Sequence, residues 1–353
     1  MTVDQIRALG LRKEFPGVVA VDGVDLEIRE GEFFALLGPS GCGKTTTLRM
    51  IAGFETPTEG TVEINGTDVT DAPPEARPTN MVFQDLALFT HMDVFENVAY
   101  GLRRSGVAEE EIEARVAEAL ELVDLPGYGD RDTAALSGGQ QQRIALARAL
   151  ANETDVILLD EPLASLDRKL RQRMQLELRT IHEEVGVTFF YVTHDQQAAM
   201  TMADRMAVMN DGEIEQVAPP SEVYDAPANQ FVADFIGDMN SLSGTVEDGR
   251  FVTEGGLEFA VENDGVTGDA DLVIRPEKFH ISADGSLGLA NEVEGTIRDA
   301  VFRGTSTRYR VEIDDGVEVE IESQNRTREP PYASGDRVRV GWEPGSALVY
   351  ETR

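Results

Sequence analysis

From residue 2 to residue 28 the apolar positions alternate imperfectly, with Val19, Val21, Val24, Leu26 and Ile28 at strand spacing. The pattern then changes. Phe33-Phe34-Ala35-Leu36-Leu37 is unbroken apolar sequence that stops at Gly38-Pro39-Ser40-Gly41, which predicts a buried strand running into a glycine-rich loop. Two further apolar runs follow, Val156-Ile157-Leu158-Leu159 ending in Asp160-Glu161, and residues 187–192 ending in Thr193-His194. Helical patterns lie between them. Residues 45–52 are one, and residues 108–125 are another, where Ile112, Val116, Leu120 and Val123 fall at helical spacing behind a glutamate-rich first turn that suits the helix dipole. Buried strands alternating with helices predict a mainly parallel α/β sheet with polar residues along its carboxyl edge. Residues 205–209 and 213–217 flank Asn210-Asp211-Gly212 and predict a hairpin. From about Asn240 the texture shifts to short β-like runs at 272–274, 293–297, 309–313 and 317–321, separated by Gly, Asp and Asn, as in a small all-β barrel. Two domains are therefore expected, 1–239 and 240–353, the first with a helical subdomain at about 86–150.

Residues 38–45 read Gly-Pro-Ser-Gly-Cys-Gly-Lys-Thr and fit the pattern G-x-x-x-x-G-K-[ST] between a strand and a helix. In such a loop the glycines let backbone N–H groups turn inward around phosphate, Lys44 bridges the outer phosphates and the Thr45 hydroxyl ligates Mg²⁺. Cys42 reads as a small filler that contributes its N–H, not as a nucleophile. Asp160 offers a carboxylate to Mg²⁺, and Glu161 beside it can polarise an attacking water. His194, closing the third strand, is positioned to contact a γ-phosphate. Leu136-Ser137-Gly138-Gly139-Gln140-Gln141-Gln142-Arg143 opens a helix that continues through Ile144, Leu146 and Leu150. A helix N-terminus is an anion site, so the chain owns two phosphate-binding loops where one phosphate site needs a single one.

This combination closely resembles the nucleotide-binding subunit of ABC transporters, in the expected order through the first two-thirds of the chain. The resemblance implies an α/β P-loop NTPase, an ABC ATPase cassette with a helical subdomain, that hydrolyses ATP with Mg²⁺. It implies that Phe15 stacks on adenine and that Gly38, Pro39, Ser40, Gly41, Cys42, Gly43, Lys44, Thr45 and Thr46 form the Walker A loop. Gln84, in Met81-Val82-Phe83-Gln84, looks like the Q-loop glutamine that touches Mg²⁺ and the attacking water and senses the membrane subunits. Ser137, Gly138, Gly139 and Gln140 resemble the ABC signature, Asp160 the Walker B aspartate and Glu161 the general base. Asp167 closes the D-loop Ala164-Ser165-Leu166-Asp167, and His194 is similar to the switch histidine. In this family the signature loop of one subunit closes over ATP held by another, so a head-to-tail homodimer accounts for the second loop. The chain departs from the usual pattern at Asn80, Thr90 and Gln197-Ala198, none of them a catalytic group.

Ile274-Arg275-Pro276-Glu277 is similar to the recurrent motif of the TOBE-type, OB-like barrel of importer ATPases, with Arg275 expected in a surface ion pair or on a regulatory anion. Residues 301–309, Gln324-Asn325 and Trp342 look most like polyamine (spermidine/putrescine) importers, while sugar and ferric-ion importers share the architecture. Two integral-membrane permease subunits and an extracellular solute-binding protein are the implied partners, and the cytoplasmic face of the cell membrane the implied location. Repair ATPases carry a long coiled coil between Walker A and signature, and translation factors usually carry two cassettes. Here about a hundred residues without heptads separate Gly38 from Ser137, and there is one cassette. A nucleotide sensor without turnover would tolerate the loss of Glu161, which is present.

Composition narrows the setting. At 353 residues the chain exceeds one ordinary domain, and a hydrophobic fraction of 41% suffices for a sizeable core. No run approaches the roughly 18 to 20 apolar residues of a membrane span, and the N-terminus lacks the basic start and apolar stretch of a secretory signal. Cys42 is the single cysteine, so no internal disulfide is expected. The net charge of −34 argues against a nucleic-acid partner, which requires clustered Lys and Arg. It is spread along the chain, −11 from Ser241 onward and −23 before it, and arginine supplies 27 of the 31 positive charges against 4 lysines. Such a carboxylate-rich, lysine-poor surface resembles those adapted to molar salt.

Overall fold

The computed structural model describes residues 4–152, 154–262, 265–283, 285–313, 316–325 and 331–352, and the chain divides into two compact units, residues 1–225 and 226–353. Residues 2 and 3 of the expected β region lie outside the described residues.

The first unit opens with a hairpin of β1 (Asp4–Phe15) and β2 (Val18–Arg29), in which alternation buries Val21, Val24, Leu26 and Ile28. β3 (Phe33–Leu37) then leads through the glycine-rich loop into α1 (Lys44–Ala52), which stops where Gly53 adopts φ 82°. β4 (Glu59–Ile64) and β5 (Thr67–Asp68) complete an antiparallel sheet in the order β2-β1-β4-β5. After β6 (Thr79–Val82) come three helices, α2 (Val94–Arg104), α3 (Glu109–Leu122) and α4 (Gly138–Ala151). Asp93 and Glu96 cap α2 reciprocally, and α3 buries Ile112, Val116, Ala119 and Leu120, close to the stripe its spacing predicts. The rest alternates β7 (Val156–Asp160), α5 (Arg168–Val185), β8 (Thr188–Thr193), α6 (Gln196–Met202) and β9 (Arg205–Asn210) before β10 (Glu213–Ala218) and α7 (Pro220–Asp225).

The central sheet has the order β10-β9-β3-β8-β7-β6, parallel throughout except for the β9–β10 hairpin. β3, β7 and β8 are buried at every position, as strands covered on both faces must be. The antiparallel sheet, α1 and one face of the central sheet share a core that includes Ile6, Leu11, Leu36, Ile51 and Phe190. Register places Leu37 beside Thr193 and Asp160 beside Val192, so the ends of β3, β7 and β8 meet at one edge. The expected hairpin turns through Asp211 at φ 43° and Gly212 at φ 91°, both left-handed as a tight two-residue turn requires.

The second unit begins with α8 (Gln230–Phe235) and continues as β11 (Asn240–Glu247), β12 (Arg250–Thr253), β13 (Glu258–Ala260), β14 (Gly268–Ile274) and β15 (His280–Ser282). It ends with β16 (Asn291–Phe302), β17 (Ser306–Ile313), β18 (Glu318–Gln324), β19 (Arg337–Trp342) and β20 (Ala347–Glu351). They form two five-stranded antiparallel sheets, β13-β12-β11-β14-β20 and β15-β19-β16-β17-β18, around one core containing Phe251, Leu272, Tyr309 and Ile321. Trp342 fills its centre, 4.7 Å from the Phe259 ring and 5.2 Å from that of Phe279. The expectation for Arg275 is corrected. It is buried, and its guanidinium donates to the carbonyls of Ala233 (2.8 Å) and Gly237 (3.0 Å), which ties the end of α8 to the β structure.

Candidate active site

The loop between β3 and α1 is closed by its own lysine. Lys44 is 5% exposed, and its ammonium donates to the carbonyls of Gly38 and Pro39, each at 2.8 Å. Glycine is required at two positions. A side chain on Gly38 would overlap the Met209 carbonyl and the Cys42 sulfur, and one on Gly43, at φ 107°, would overlap the Ala20 carbonyl. Gly43 is also the N-cap of α1, which has no side-chain cap and no acidic residue in its first turn. Its leading N–H groups and the Lys44 charge make an anion cradle. Cys42 is buried within the loop, and burial pushes its thiol above the ordinary range, which agrees with filler and disagrees with a reactive thiolate.

Across the edge, the Thr45 hydroxyl donates to the Asp160 carboxylate at 3.2 Å. Asp160 is 5% exposed, and burial raises its carboxyl above the usual carboxylate range, with the Thr45 hydrogen bond opposing. A divalent cation would reverse that direction, and a hydroxyl beside a carboxylate is the hard-oxygen donor set that Mg²⁺ prefers. Glu161 sits at φ 44°, rare for a side-chain-bearing residue, with its N–H on the Val192 carbonyl at 3.0 Å. Its Oε2 lies 2.9 Å from Nδ1 of His194. A carboxylate and an imidazole from neighbouring strands thus form one pair beside the Thr45–Asp160 contact.

The other expected residues sit as follows. Phe15 ends β1 at 37% exposure, with the Lys13 ammonium 5.1 Å from its ring centre and exposed Val18 opposite it in the hairpin. Gln84 is exposed in the turn after β6, and among the described residues no hydrogen bond joins it to Asp160 or Glu161. Asp167 caps α5, its carboxylate accepting from the N–H groups of Lys169 and Leu170 at 3.1 Å. Ser137 caps α4 in a reciprocal box with Gln140, and Ser137 and Gly138 are exposed. Among the described residues no hydrogen bond or ion pair joins 137–140 to 38–45, so one copy does not unite the two anion loops. Asn80, a departure in the pattern, donates from β6 to the Ala149 carbonyl of α4 at 3.1 Å.

Three arginines around the site escaped the sequence reading. Arg77 is buried and donates to the carbonyls of Met50 (2.7 Å) and Ile51 (2.8 Å), capping the far end of α1. Arg171 donates to the Leu166 carbonyl at 2.9 Å and reaches Asp195 at 3.6 Å, joining the 164–167 loop to the segment after His194. Arg148 holds two carbonyls after Gln84. Apart from the Arg171–Asp195 contact, these bonds go to main-chain oxygens that every residue has, so no sequence pattern marks them.

Residues 21–164 match the family model described as ABC transporter, and residues 272–349 match that of the TOBE domain. The spermidine/putrescine import ATP-binding protein PotA of Rubrobacter xylanophilus is 51% identical, the alignment covering 98% of this chain and 93% of that protein. The protein of the same name from Thermobifida fusca is 52% identical, over 94% and 88%. Among solved structures, the dimeric bacterial ABC transporter cassette MJ0796 is 34% identical with a TM-score of 0.55, covering 61% of this chain and 98% of that one.

Proposed function

The chain belongs to the ABC transporter family, and from that premise we propose that it is the ATP-hydrolysing subunit that powers a polyamine importer, with spermidine or putrescine as solute. The observation that carries the catalytic part is the meeting of Thr45 and Asp160 at 3.2 Å beside the Glu161–His194 pair at 2.9 Å. ATP is the substrate. Phe15 receives the adenine ring, and the backbone of 38–46 with Lys44 receives the phosphates. Thr45, Asp160 and Gln84 would hold Mg²⁺, which when bound would supply charge neutralisation at the outer phosphates. Glu161 takes the proton of the attacking water, and His194 fixes that carboxylate through Nδ1 while facing the γ-phosphate.

Residues 137–140 complete the site from a second copy, so the working unit is a head-to-tail homodimer with Asp167 at its seam. Two integral-membrane permease subunits carry the pathway, and an extracellular solute-binding protein delivers to them. No helix among the described residues is long and apolar enough to cross a membrane. In this proposal the chain works at the cytoplasmic face of the membrane by attachment to the permeases. The test is ATP turnover by the chain assembled with its permeases and binding protein in vesicles, with spermidine, putrescine, maltose or ferric ion supplied. Stimulation by polyamine alone is expected. Stimulation by maltose or ferric ion overturns the solute, and absence of turnover under every condition overturns the ATPase reading.

A further inference from the structure

The turn after β6, which carries Gln84, contains consecutive left-handed residues that are not glycine, Leu86 at φ 62° and Ala87 at φ 44°. Such a pair costs backbone energy and persists only when its surroundings enforce it. The enforcing group is Arg148, in the last turn of α4. Its Nη1 donates to the Ala87 carbonyl at 2.7 Å and its Nη2 to the Leu86 carbonyl at 2.8 Å, so one planar fork grips both strained peptides. The guanidinium also lies 5.6 Å from the centre of the Phe89 ring. Among the described residues no carboxylate pairs with it, and burial pulls its pKa below the ordinary arginine range. A half-buried cation that places two of its donors on neighbouring carbonyls of one turn is a specific device, and the structure shows what it holds. α4 is also the helix whose first residues carry the signature loop.

We infer that Arg148 is a positioning residue for Gln84: it ties the turn that bears Gln84 to the helix that begins at Ser137, so the contact made at Ser137 and the placement of Gln84 are mechanically joined. The Asn80 hydrogen bond to Ala149, one residue along α4, ties the same helix to β6, the strand that leads into the turn. This rests on the ATPase reading above. Arg148 touches neither nucleotide nor metal in that scheme. Removing it frees the turn to relax out of the left-handed region, so it should lower turnover and spare nucleotide binding.

The test is a double-mutant cycle of Arg148→Gln with Gln84→Ala, reading ATP turnover and the dissociation constant of a fluorescent nucleotide. Arg148→Lys is run in parallel, because an ammonium keeps the charge but lacks the planar fork whose two arms meet the two carbonyls; it is expected to lose turnover as the Gln variant does, and it tests the fork if the Gln variant folds poorly. In the wild-type background Arg148→Gln is expected to lower kcat by about tenfold or more, with nucleotide affinity within about twofold. In the Gln84→Ala background the same change should cost less than about twofold, because the residue it positions is already gone. Equal losses in both backgrounds, or a raised KM at unchanged kcat, would overturn the inference and leave the ATPase reading intact. No hydrolysis by the wild type would instead overturn the ATPase reading itself, and this inference with it.

Discussion

At the scale of single residues, the site separates holding from chemistry. Lys44 and the glycines at 38 and 43 shape the cradle, whereas Glu161 stands outside it, just past the end of β7 and joined to His194 at 2.9 Å. Glu161→Gln keeps the side-chain shape and removes the proton acceptor. It is expected to bind ATP normally, to lose turnover by about 100-fold or more, and to accumulate as an ATP-bound dimer. Single-turnover hydrolysis and size-exclusion chromatography with ATP measure both effects, and near-normal hydrolysis would remove Glu161 from its role. Much of this was legible in the chain because phosphate chemistry demands glycine, lysine and hydroxyl at fixed spacing. Cys42 was readable for the same reason, as a small residue between required glycines. Arg148 was not, since a guanidinium on main-chain oxygens needs only a carbonyl, and neither Leu86 nor Ala87 announces a left-handed backbone.

At the scale of elements, three unbroken apolar runs marked β3, β7 and β8, and their parallel pairing brings their polar ends together. The short β6 was harder to read, because Thr79 and Asn80 are polar and its neighbour in the sheet is distant in sequence. How α5 lies on the sheet was not legible either, and it hides a titratable group. His182, in the last turn of α5, is 4% exposed with no well-formed hydrogen bond to either ring nitrogen among the described residues, at 5.2 Å from the Phe33 ring of β3 and 4.9 Å from the Phe189 ring of β8. Burial pulls its pKa below the ordinary value; Asp204 and Glu183 oppose and Arg179 assists. The unfolded chain therefore takes up the proton first as pH falls. The stability that neutral His182 contributes is complete above the unfolded value of about 6.5 and is lost progressively below it. Thermal melts of wild type and His182→Leu should differ by a roughly constant amount above pH 7, and the wild type should lose stability relative to the variant on going to pH 5.5. Parallel curves over that range would contradict the burial argument.

At the scale of the whole molecule, charge and assembly govern. The −34 charge is carried by both parts of the chain, and arginines thread through it, as where Arg308 meets Asp238 at 2.5 Å and Glu320 and Glu322 at 3.0 Å each. Repulsion among the remaining carboxylates opposes the compact state unless ions screen it, and at 1 M salt the Debye length is only about 3 Å. Circular dichroism and ATP turnover should both decline as KCl falls from molar to low millimolar, with Mg·ATP partly protecting the folded state. Full structure and maximal activity in dilute buffer would exclude that adaptation and leave the transporter assignment standing. Each catalytic site is proposed to be shared by two copies, because among the described residues 38–45 and 137–140 are not joined within one. Mixing two inactive variants tests it most directly. Lys44→Ala loses its own nucleotide, Ser137→Arg spoils the nucleotide of its neighbour, and in a heterodimer one shared site carries both defects while the other carries neither. ATP turnover in the mixture should return in part, whereas heterodimers demonstrated by two different tags that remain wholly inactive would contradict the shared site.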